Sequence, residues 1–127
     1  MNSEQRERLR LELQGRVFDT WRELAANHPA LHHVPCPTVK LCGRMYRTAG
    51  WFTSDDWAIT FGVRFFRHWI HSRYMRAIIV RHETAHAADM ALNGKCDGPN
   101  GHGVPWQNLC EELGIPPERY HPLEVTR

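Results

Sequence analysis

The chain has 127 residues, of which 42% are hydrophobic, and a formal net charge of +2. This length suits one domain, residues 1–127, with a single core, and no apolar run approaches the roughly 20 residues of a membrane span. The N-terminal residues 1–7 are charged and precede no apolar segment, so we expect no secretory signal. We therefore predict a cytoplasmic protein (nucleoid-associated, or nuclear in a eukaryote), monomeric and without a membrane partner.

The first predicted element is a helix that starts with Ser3 as its N-cap and runs to about Asn27. Its apolar residues recur every three or four positions and predict one buried face: Leu9, Leu13, Val17, Trp21 and Leu24. His28 and Pro29 end this helix. Residues 30–37 are rich in proline and predict a connector rather than an element.

Three strands are predicted next. Apolar and polar residues alternate over residues 39–44, residues 50–53 form a second strand, and residues 54–56 make a turn. Residues 57–65 form a third strand with its apolar residues on one face: Ile59, Phe61, Val63 and Phe65. We expect a small antiparallel sheet whose third strand offers an exposed edge to an extended peptide.

Two further helices are predicted after the sheet. Residues 75–92 contain no proline or glycine and are apolar nearly all round, which is typical of a buried helix, and Asn93-Gly94 supplies its end. Residues 105–113 form a short final helix, with Pro105 in its first turn and Gly114 as its stop. The tail after Pro117 is expected to lie on the surface.

The buried helix carries an HExxH sequence, His82 to His86. The two histidines are one helical turn apart, with Cβ atoms about 6 Å from each other, so both imidazoles can reach one metal ion. Glu83 then lies where a zinc hydrolase needs a general base. The alternative is a pair of hydrogen-bonded core histidines with Glu83 bound to an arginine, because buried polar groups must be paired.

A catalytic zinc needs a third protein ligand, and His102 is the best candidate. Gly101 and Gly103 flank it, and residues 94–101 are turn-forming, so the backbone can return closely to the helix. The rival ligands are Glu111, Glu112 and Cys96, of which the thiolate would indicate a structural site. Asp89 is better placed to orient an imidazole than to bind metal. A metzincin would need glycine in place of Asp89 and histidine in place of Leu92, so that class is excluded.

Residues 82–114 resemble the SprT-like (Spartan) metallopeptidase domain, which has an HExxH helix, a polar loop, a third histidine before glycine, and a short helix. Here the later features are His102-Gly103, Trp106 and Leu113-Gly114. Residues 48–51 and 57–61 are similar, less specifically, to the hairpin that precedes that helix. The resemblance implies an α+β, zincin-like minimal metalloprotease domain, with zinc held by His82, His86 and His102 and with Glu83 as catalytic base. No CxxC pair follows His102, so we expect a form without the C-terminal zinc ribbon.

The predicted function is that of a zinc-dependent endopeptidase that acts on a protein or peptide substrate. Donors for the oxyanion could come from Tyr120, His121 or Arg81, and the sequence does not choose among them. The resemblance also implies substrates bound or crosslinked to DNA. The alternatives are a non-catalytic zinc-containing module that binds nucleic acid or protein, and a regulatory metallopeptidase that cuts one repressor.

Arginine accounts for fourteen of the sixteen basic residues, which is compatible with contacts to single-stranded or crosslinked DNA and equally with surface ion pairs. The arginines near the zinc segment are Arg64, Arg67, Arg73, Arg76 and Arg81. Three tryptophans could stack on bases or fill the core instead: Trp51, Trp57 and Trp69. The four cysteines are widely spaced and predict free thiols.

Overall fold

The first helix, α1, spans Ser3–Asn27 in a computed structural model that describes residues 1–45, 47–96, 98 and 101–117. Its cap is Asn2, whose side chain accepts a hydrogen bond from the Gln5 N–H, while the Gln5 side chain accepts one from the Asn2 N–H, each 2.8 Å long. The predicted cap at Ser3 is wrong by one residue. Arg6, three residues after Ser3, offers no acceptor to complete such a reciprocal pair.

The predicted apolar face of α1 is confirmed, because all five of its residues are buried. The helix ends at the predicted place, with His28 as its C-cap. A short 3₁₀ helix, Pro29–His33, follows and buries Leu31, so the prediction of a connector without an element is wrong there. Proline's fixed φ suits the first turn of a helix as well as a break between elements, and the sequence pattern does not separate the two.

The sheet contains β1 (Thr38–Cys42), β2 (Gly50–Thr53) and β3 (Ala58–Gly62), in the order β1-β3-β2. β2 pairs with β3 antiparallel, but β1 pairs with β3 parallel. The prediction of a wholly antiparallel sheet is therefore wrong. Alternating apolar residues look the same in either strand direction, so the pattern carries no information about this pairing.

β3 is shorter than predicted at both ends. Trp57 has a φ of 52° and closes the turn after β2, and the chain leaves the sheet at Gly62 to form a 3₁₀ helix, Val63–Phe66. A Cβ at position 62 would lie 2.9 Å from the Phe65 ring and 3.1 Å from the Met45 Cβ. The glycine thus allows a close approach that ends the strand.

The two faces of the sheet differ in exposure. Val39, Ile59 and Phe52 share one face by register, and this face packs toward α1 and the HExxH helix. Lys40, Thr60 and Trp51 share the opposite face, on which both Lys40 and Trp51 are exposed. The fold is therefore helices on one side of a small mixed sheet, which confirms the α+β class.

The central helical segment is longer than predicted. It begins with α2 (Trp69–Tyr74), passes through a π-helical turn (Met75–Ile79) and continues as α3 (Val80–Asn93). α3 ends at Gly94, whose φ of 73° confirms the predicted stop. The last helix, α4, spans Val104–Glu112. No helix in the described ranges combines the length and apolarity needed to cross a bilayer.

Two groups of buried side chains hold these elements together. The sheet core joins the first half of α1 to the sheet and the π-helical turn, and its members include Leu13, Val17, Val39, Ile59, Phe61 and Ile79. The helical core joins the second half of α1 to α3 and α4, and its members include Trp21, Leu24, Ala85, Ala88, Trp106 and Leu109. α3 crosses both regions, which places its polar residues beside the helical core.

Candidate metal centre

The HExxH residues lie on α3, as predicted, and all of them are buried. The exposed fractions are 1% for His82, 5% for Glu83 and 8% for His86. Apolar packing on both sides of α3 forces these polar groups into the interior, where an unpaired group costs a few kcal/mol. The buried-helix prediction is confirmed.

Trp106, at the start of α4, contacts all three predicted histidine ligands. Its ring centroid lies 4.6 Å from that of His102, 4.8 Å from that of His86 and 5.5 Å from that of His82. The His86 and His102 centroids are themselves 4.8 Å apart. The fold thus brings the three histidines to one indole, although His102 is 16 residues beyond His86 in the sequence.

Glycines bring the loop of His102 close to α3. Gly101 has a φ of 75°, and a Cβ there would lie 3.0 Å from the Cys96 Cβ and 3.7 Å from the His86 ring. Gly98 has a φ of 83°, and a Cβ there would lie 2.7 Å from the Gly103 backbone. Any side chain at either position would push the loop off its neighbours, so the predicted role of the flanking Gly101 has a steric basis, and Gly98 adds a second close approach.

Polar contacts also fix the loop and its histidine. The Gln107 side-chain amide donates to the His102 carbonyl at 2.9 Å, and the Cys96 thiol donates to the His86 carbonyl at 3.4 Å. All four cysteines are free thiols, as predicted. Cys96 therefore contacts the backbone of a histidine ligand candidate through its Sγ.

His82 Nε2 lies 2.7 Å from the carbonyl oxygen of Pro116. A ring nitrogen in contact with a carbonyl must carry the proton, so Nδ1 is the nitrogen that can offer a lone pair in this arrangement. Metal-binding histidines commonly donate their second nitrogen to a carbonyl in this way. The Pro116 carbonyl thus orients the ring.

Glu83 points toward the sheet. A Cβ at Gly50 of β2 would lie 3.3 Å from the Glu83 Cγ, so the glycine makes room for this side chain against the strand. Burial raises the pKa of the Glu83 carboxyl to about 8. Within the described residues no hydrogen bond to this carboxyl is formed.

The donor chemistry fits zinc, which accepts neutral imidazole nitrogens and carboxylates. Among the described residues, however, no three His, Cys, Asp or Glu side chains converge at metal-binding positions. His86 and His102 already adjoin, whereas His82 lies farther along the indole and faces Pro116. A closed three-histidine site would require the His82 ring to turn its Nδ1 toward the other two.

The other predicted site residues are more dispersed. Arg81 donates to the Leu113 carbonyl at 2.8 Å and pairs with Glu23 at 3.2 Å, so its guanidinium ties α3 to α1 and to the end of α4. Asp89 is fully buried and accepts a hydrogen bond of 2.6 Å from Asn93. Of the rival ligands, Glu112 pairs with His28, the C-cap of α1, at 2.8 Å, and Glu111 is exposed. Tyr120 and His121 lie outside the described residues.

The edge strand beside the site is β2, not β3 as predicted. β3 is central and hydrogen-bonded on both sides, whereas β2 has one partner strand among the described residues and packs toward α3. The error follows from the misassigned strand pairing. A peptide that extends the sheet next to Glu83 would therefore pair with Gly50–Thr53.

The structure separates the paired arginines from the exposed ones. Arg76 pairs with Glu12, and Arg81 with Glu23, whereas Arg67 and Arg73 are exposed and form no ion pair with any described residue. Beside them the Trp69 side chain is 65% exposed. No aspartate or glutamate occurs in residues 57–82, so this surface is purely basic in sequence.

The tryptophans considered for base stacking divide in the same way. Trp51 is 46% exposed, whereas Trp57 packs edge-on against Trp21 and Phe52 and donates to the Pro35 carbonyl at 2.6 Å. Trp57 is thus part of the fold rather than a free stacking surface.

Sequence reasoning assigned no role in the site to two residues. Trp106, named only as a feature of the resemblance, is the centre of the three histidines, and Gly50 provides the space for Glu83. Trp106 follows His102 by four residues in the sequence, and this closeness could have indicated their contact. Gly50 gave no such signal, since its role depends on strand pairing. A comparison of the chain with protein-family models, with curated proteins and with solved structures finds no match in any of the three.

Proposed function

We propose that this chain is a zinc-dependent endopeptidase of the zincin type, in which His82, His86 and His102 hold the metal and Glu83 is the general base. The observation that carries the proposal is the gathering of three histidine rings around Trp106 beside a buried carboxyl. The HExxH spacing and its resemblance to SprT-like domains add support. The rival explanation is an aromatic core in which the histidines serve only packing.

Glu83 is the proposed carrier of the proton in this reaction. When bound, zinc supplies a Lewis acid for the scissile carbonyl and lowers the pKa of water to about 7. The Glu83 carboxylate accepts a proton from the attacking water and returns it to the nitrogen of the departing amine. Burial raises the pKa of this carboxyl to about 8, and a divalent cation nearby opposes that shift and favours the carboxylate.

The substrate would bind along β2. This strand has one hydrogen-bonded neighbour, so an extended polypeptide can pair with its other edge. Gly50 brings the same strand into contact with Glu83. A peptide held there would run past the general base with its carbonyl groups presented in sequence.

The chemistry is tested with Glu83→Gln, which keeps the shape of the side chain and removes its basicity. We expect the zinc-loaded variant to cleave a fluorogenic polypeptide about 10²- to 10⁴-fold more slowly than the wild type, with unchanged zinc content. Glu111→Gln is the matched control, because Glu111 is exposed on α4. Equal cleavage by the metal-free, zinc-loaded and Glu83→Gln proteins would show that the peptidase proposal is wrong.

The ligand assignment is tested by metal analysis. We expect one zinc per chain in the purified protein and a loss of zinc in His102→Ala. A substoichiometric zinc content that His102→Ala leaves unchanged would remove His102 from the site. His71→Ala is a suitable control, since His71 lies on α2, where its ring contacts that of His68.

We also propose that the substrates are proteins bound or crosslinked to DNA, on the strength of the resemblance and of the exposed Arg67, Trp69 and Arg73. Loss of both arginine charges in Arg67→Gln/Arg73→Gln should weaken binding to single-stranded DNA and lower the salt slope by about 0.7 per arginine. Arg22→Gln, an exposed change on α1, is the control. Cleavage that DNA does not stimulate would favour a regulatory peptidase with one specific protein substrate.

The basic surface of Arg67, Trp69 and Arg73 also favours the second candidate, a non-catalytic zinc module that binds nucleic acid or protein. In that case zinc is structural, so chelation unfolds the protein. Glu83→Gln would retain full binding and biological effect. Loss of function in Glu83→Gln without loss of DNA binding would exclude this candidate.

A further inference from the structure

We propose that Trp106 is a positioning residue that holds the imidazoles of His82, His86 and His102 in one array, an inference that rests on the proposed metal site. Each of the three rings contacts the same indole, with centroids 4.6 to 5.5 Å away. The indole therefore constrains residues from two separate segments, α3 and the loop before α4.

The three ring contacts differ in geometry, and each restricts a different motion. The His86 ring is stacked on the indole at an interplanar angle of 10°, which fixes the plane of its ring. The His102 ring meets the indole edge-on at 75°, and the His82 ring is tilted by 48°. Stacked and edge-to-face pairs are both favourable arrangements of aromatic rings, so the indole stabilises the orientations of His86 and His102, while the tilted His82 ring contacts the same indole.

The indole itself is held firmly. Its Nε1–H donates to the His82 carbonyl at 3.1 Å, which attaches Trp106 directly to the helix that carries two of the histidines. The side chain is 1% exposed and belongs to the helical core together with Leu109 and Cys110 of α4. Movement of the indole would break that hydrogen bond and open the core.

Rigid support of this kind lowers the cost of bringing ligands to a metal. Groups that orient metal-binding histidines typically contribute 10- to 100-fold in affinity. Such support usually comes from a hydrogen bond to the second ring nitrogen, which the Pro116 carbonyl provides for His82. For His86 and His102 the aromatic faces of Trp106 supply a constraint of a different kind.

The test compares Trp106→Leu, which removes the ring, with Trp106→Phe, which keeps an aromatic face and removes the N–H donor. Trp21→Leu is the matched control, because Trp21 is a buried tryptophan of the same core whose ring contact is Trp57. Zinc affinity is measured by competition with a chromophoric chelator, and the ligand geometry by the visible spectrum of the cobalt-substituted protein. Thermal unfolding of the metal-free proteins in EDTA measures how far each substitution, at Trp106 or at Trp21, destabilises the core.

We expect Trp106→Leu to weaken zinc binding 10- to 100-fold and to change the cobalt spectrum. Trp106→Phe should lose less, and Trp21→Leu should lower the melting temperature with zinc affinity and spectrum unchanged. Zinc binding by Trp106→Leu as tight as that of the wild type would overturn the positioning role. An equal loss in Trp21→Leu would also overturn it, since general destabilisation would then be the cause.

Histidine NMR of the metal-free proteins separates this inference from the proposed function. In the wild type the His86 ring protons should be shifted upfield by the indole ring current, and Trp106→Leu should remove that shift while Trp21→Leu retains it. If the wild type binds no zinc, the proposed zinc site is wrong, and the NMR result alone decides whether Trp106 orders the histidine rings. Histidine resonances that are the same in Trp106→Leu and the wild type would overturn the inference in either case.

Discussion

The sheet core and the helical core differ in the side chains that they bury. The sheet core is built from aliphatic residues and phenylalanines such as Leu13, Val17 and Phe61. The helical core lies beside five buried polar residues of α3, namely His82, Glu83, Thr84, His86 and Asp89. Burial of polar groups costs free energy unless partners are supplied, so the first region stabilises the fold and the second holds the residues of the candidate site.

The largest expected effect on stability is in the sheet core. Phe61→Ala should lower the free energy of unfolding by about 3–5 kcal/mol, because Phe61 is fully buried at the centre of the sheet. Urea denaturation with and without zinc measures the loss, which should be the same in both. Phe18→Ala, at a site 48% exposed, should change stability by about 0.5 kcal/mol or less. A loss below about 1 kcal/mol at Phe61 would contradict the division between the two cores.

Zinc should act on the helical core alone. At a free concentration 100 times its Kd, zinc should raise the free energy of unfolding by about 2.7 kcal/mol, since it binds the folded chain. His102→Ala should abolish this gain, whereas His71→Ala should leave it intact, and thermal unfolding against zinc concentration measures both. A gain of the same size in His102→Ala would place the metal elsewhere.

Arg81 tests whether a charged residue beside the site has a structural or a catalytic role. Arg81→Met should cost about 1–3 kcal/mol of stability, because it removes the hydrogen bond to the Leu113 carbonyl and the pair with Glu23. Glu23→Gln removes only the partly exposed ion pair and should cost less than about 1 kcal/mol. Unfolding experiments measure these losses. A large fall in kcat with unchanged stability would instead identify Arg81 as an oxyanion donor.

The smallest expected effect is a pH dependence in the sheet region. Arg76 of the π-helical turn donates hydrogen bonds to Glu12 of α1 and so links the two elements. These hydrogen bonds lower the pKa of the Glu12 carboxyl, and its partial burial opposes that shift. A lowered carboxyl pKa stabilises the fold above its ordinary value of 4.5, and that stabilisation is lost as the pH falls through the lowered value. Glu12→Gln should therefore flatten the acid limb of the melting temperature. An unchanged acid limb would show that this pair adds nothing, the outcome for many partly exposed pairs.

Local signals predicted the helices well. The apolar spacing of Leu9 to Leu24 found α1, Gly94 marked the end of α3, and Pro105 and Gly114 bracketed α4 to within about one residue. Each of these features depends on residues that are neighbours in the sequence. The start of α2 was missed by six residues, since Trp69 and Ile70 are exposed and show no apolar face there.

The sequence by itself determined which residues could form a site: two histidines and a glutamate on one buried helix, and a third histidine between glycines. Their chemistry and spacing are local properties and can be deduced from neighbouring residues. Only the tertiary structure decided that β3 lies between β1 and β2, that β2 is the edge beside Glu83, and that Trp106 joins the three histidines. These contacts link residues far apart in the chain, and they are selected by the packing of the whole core rather than by any local pattern.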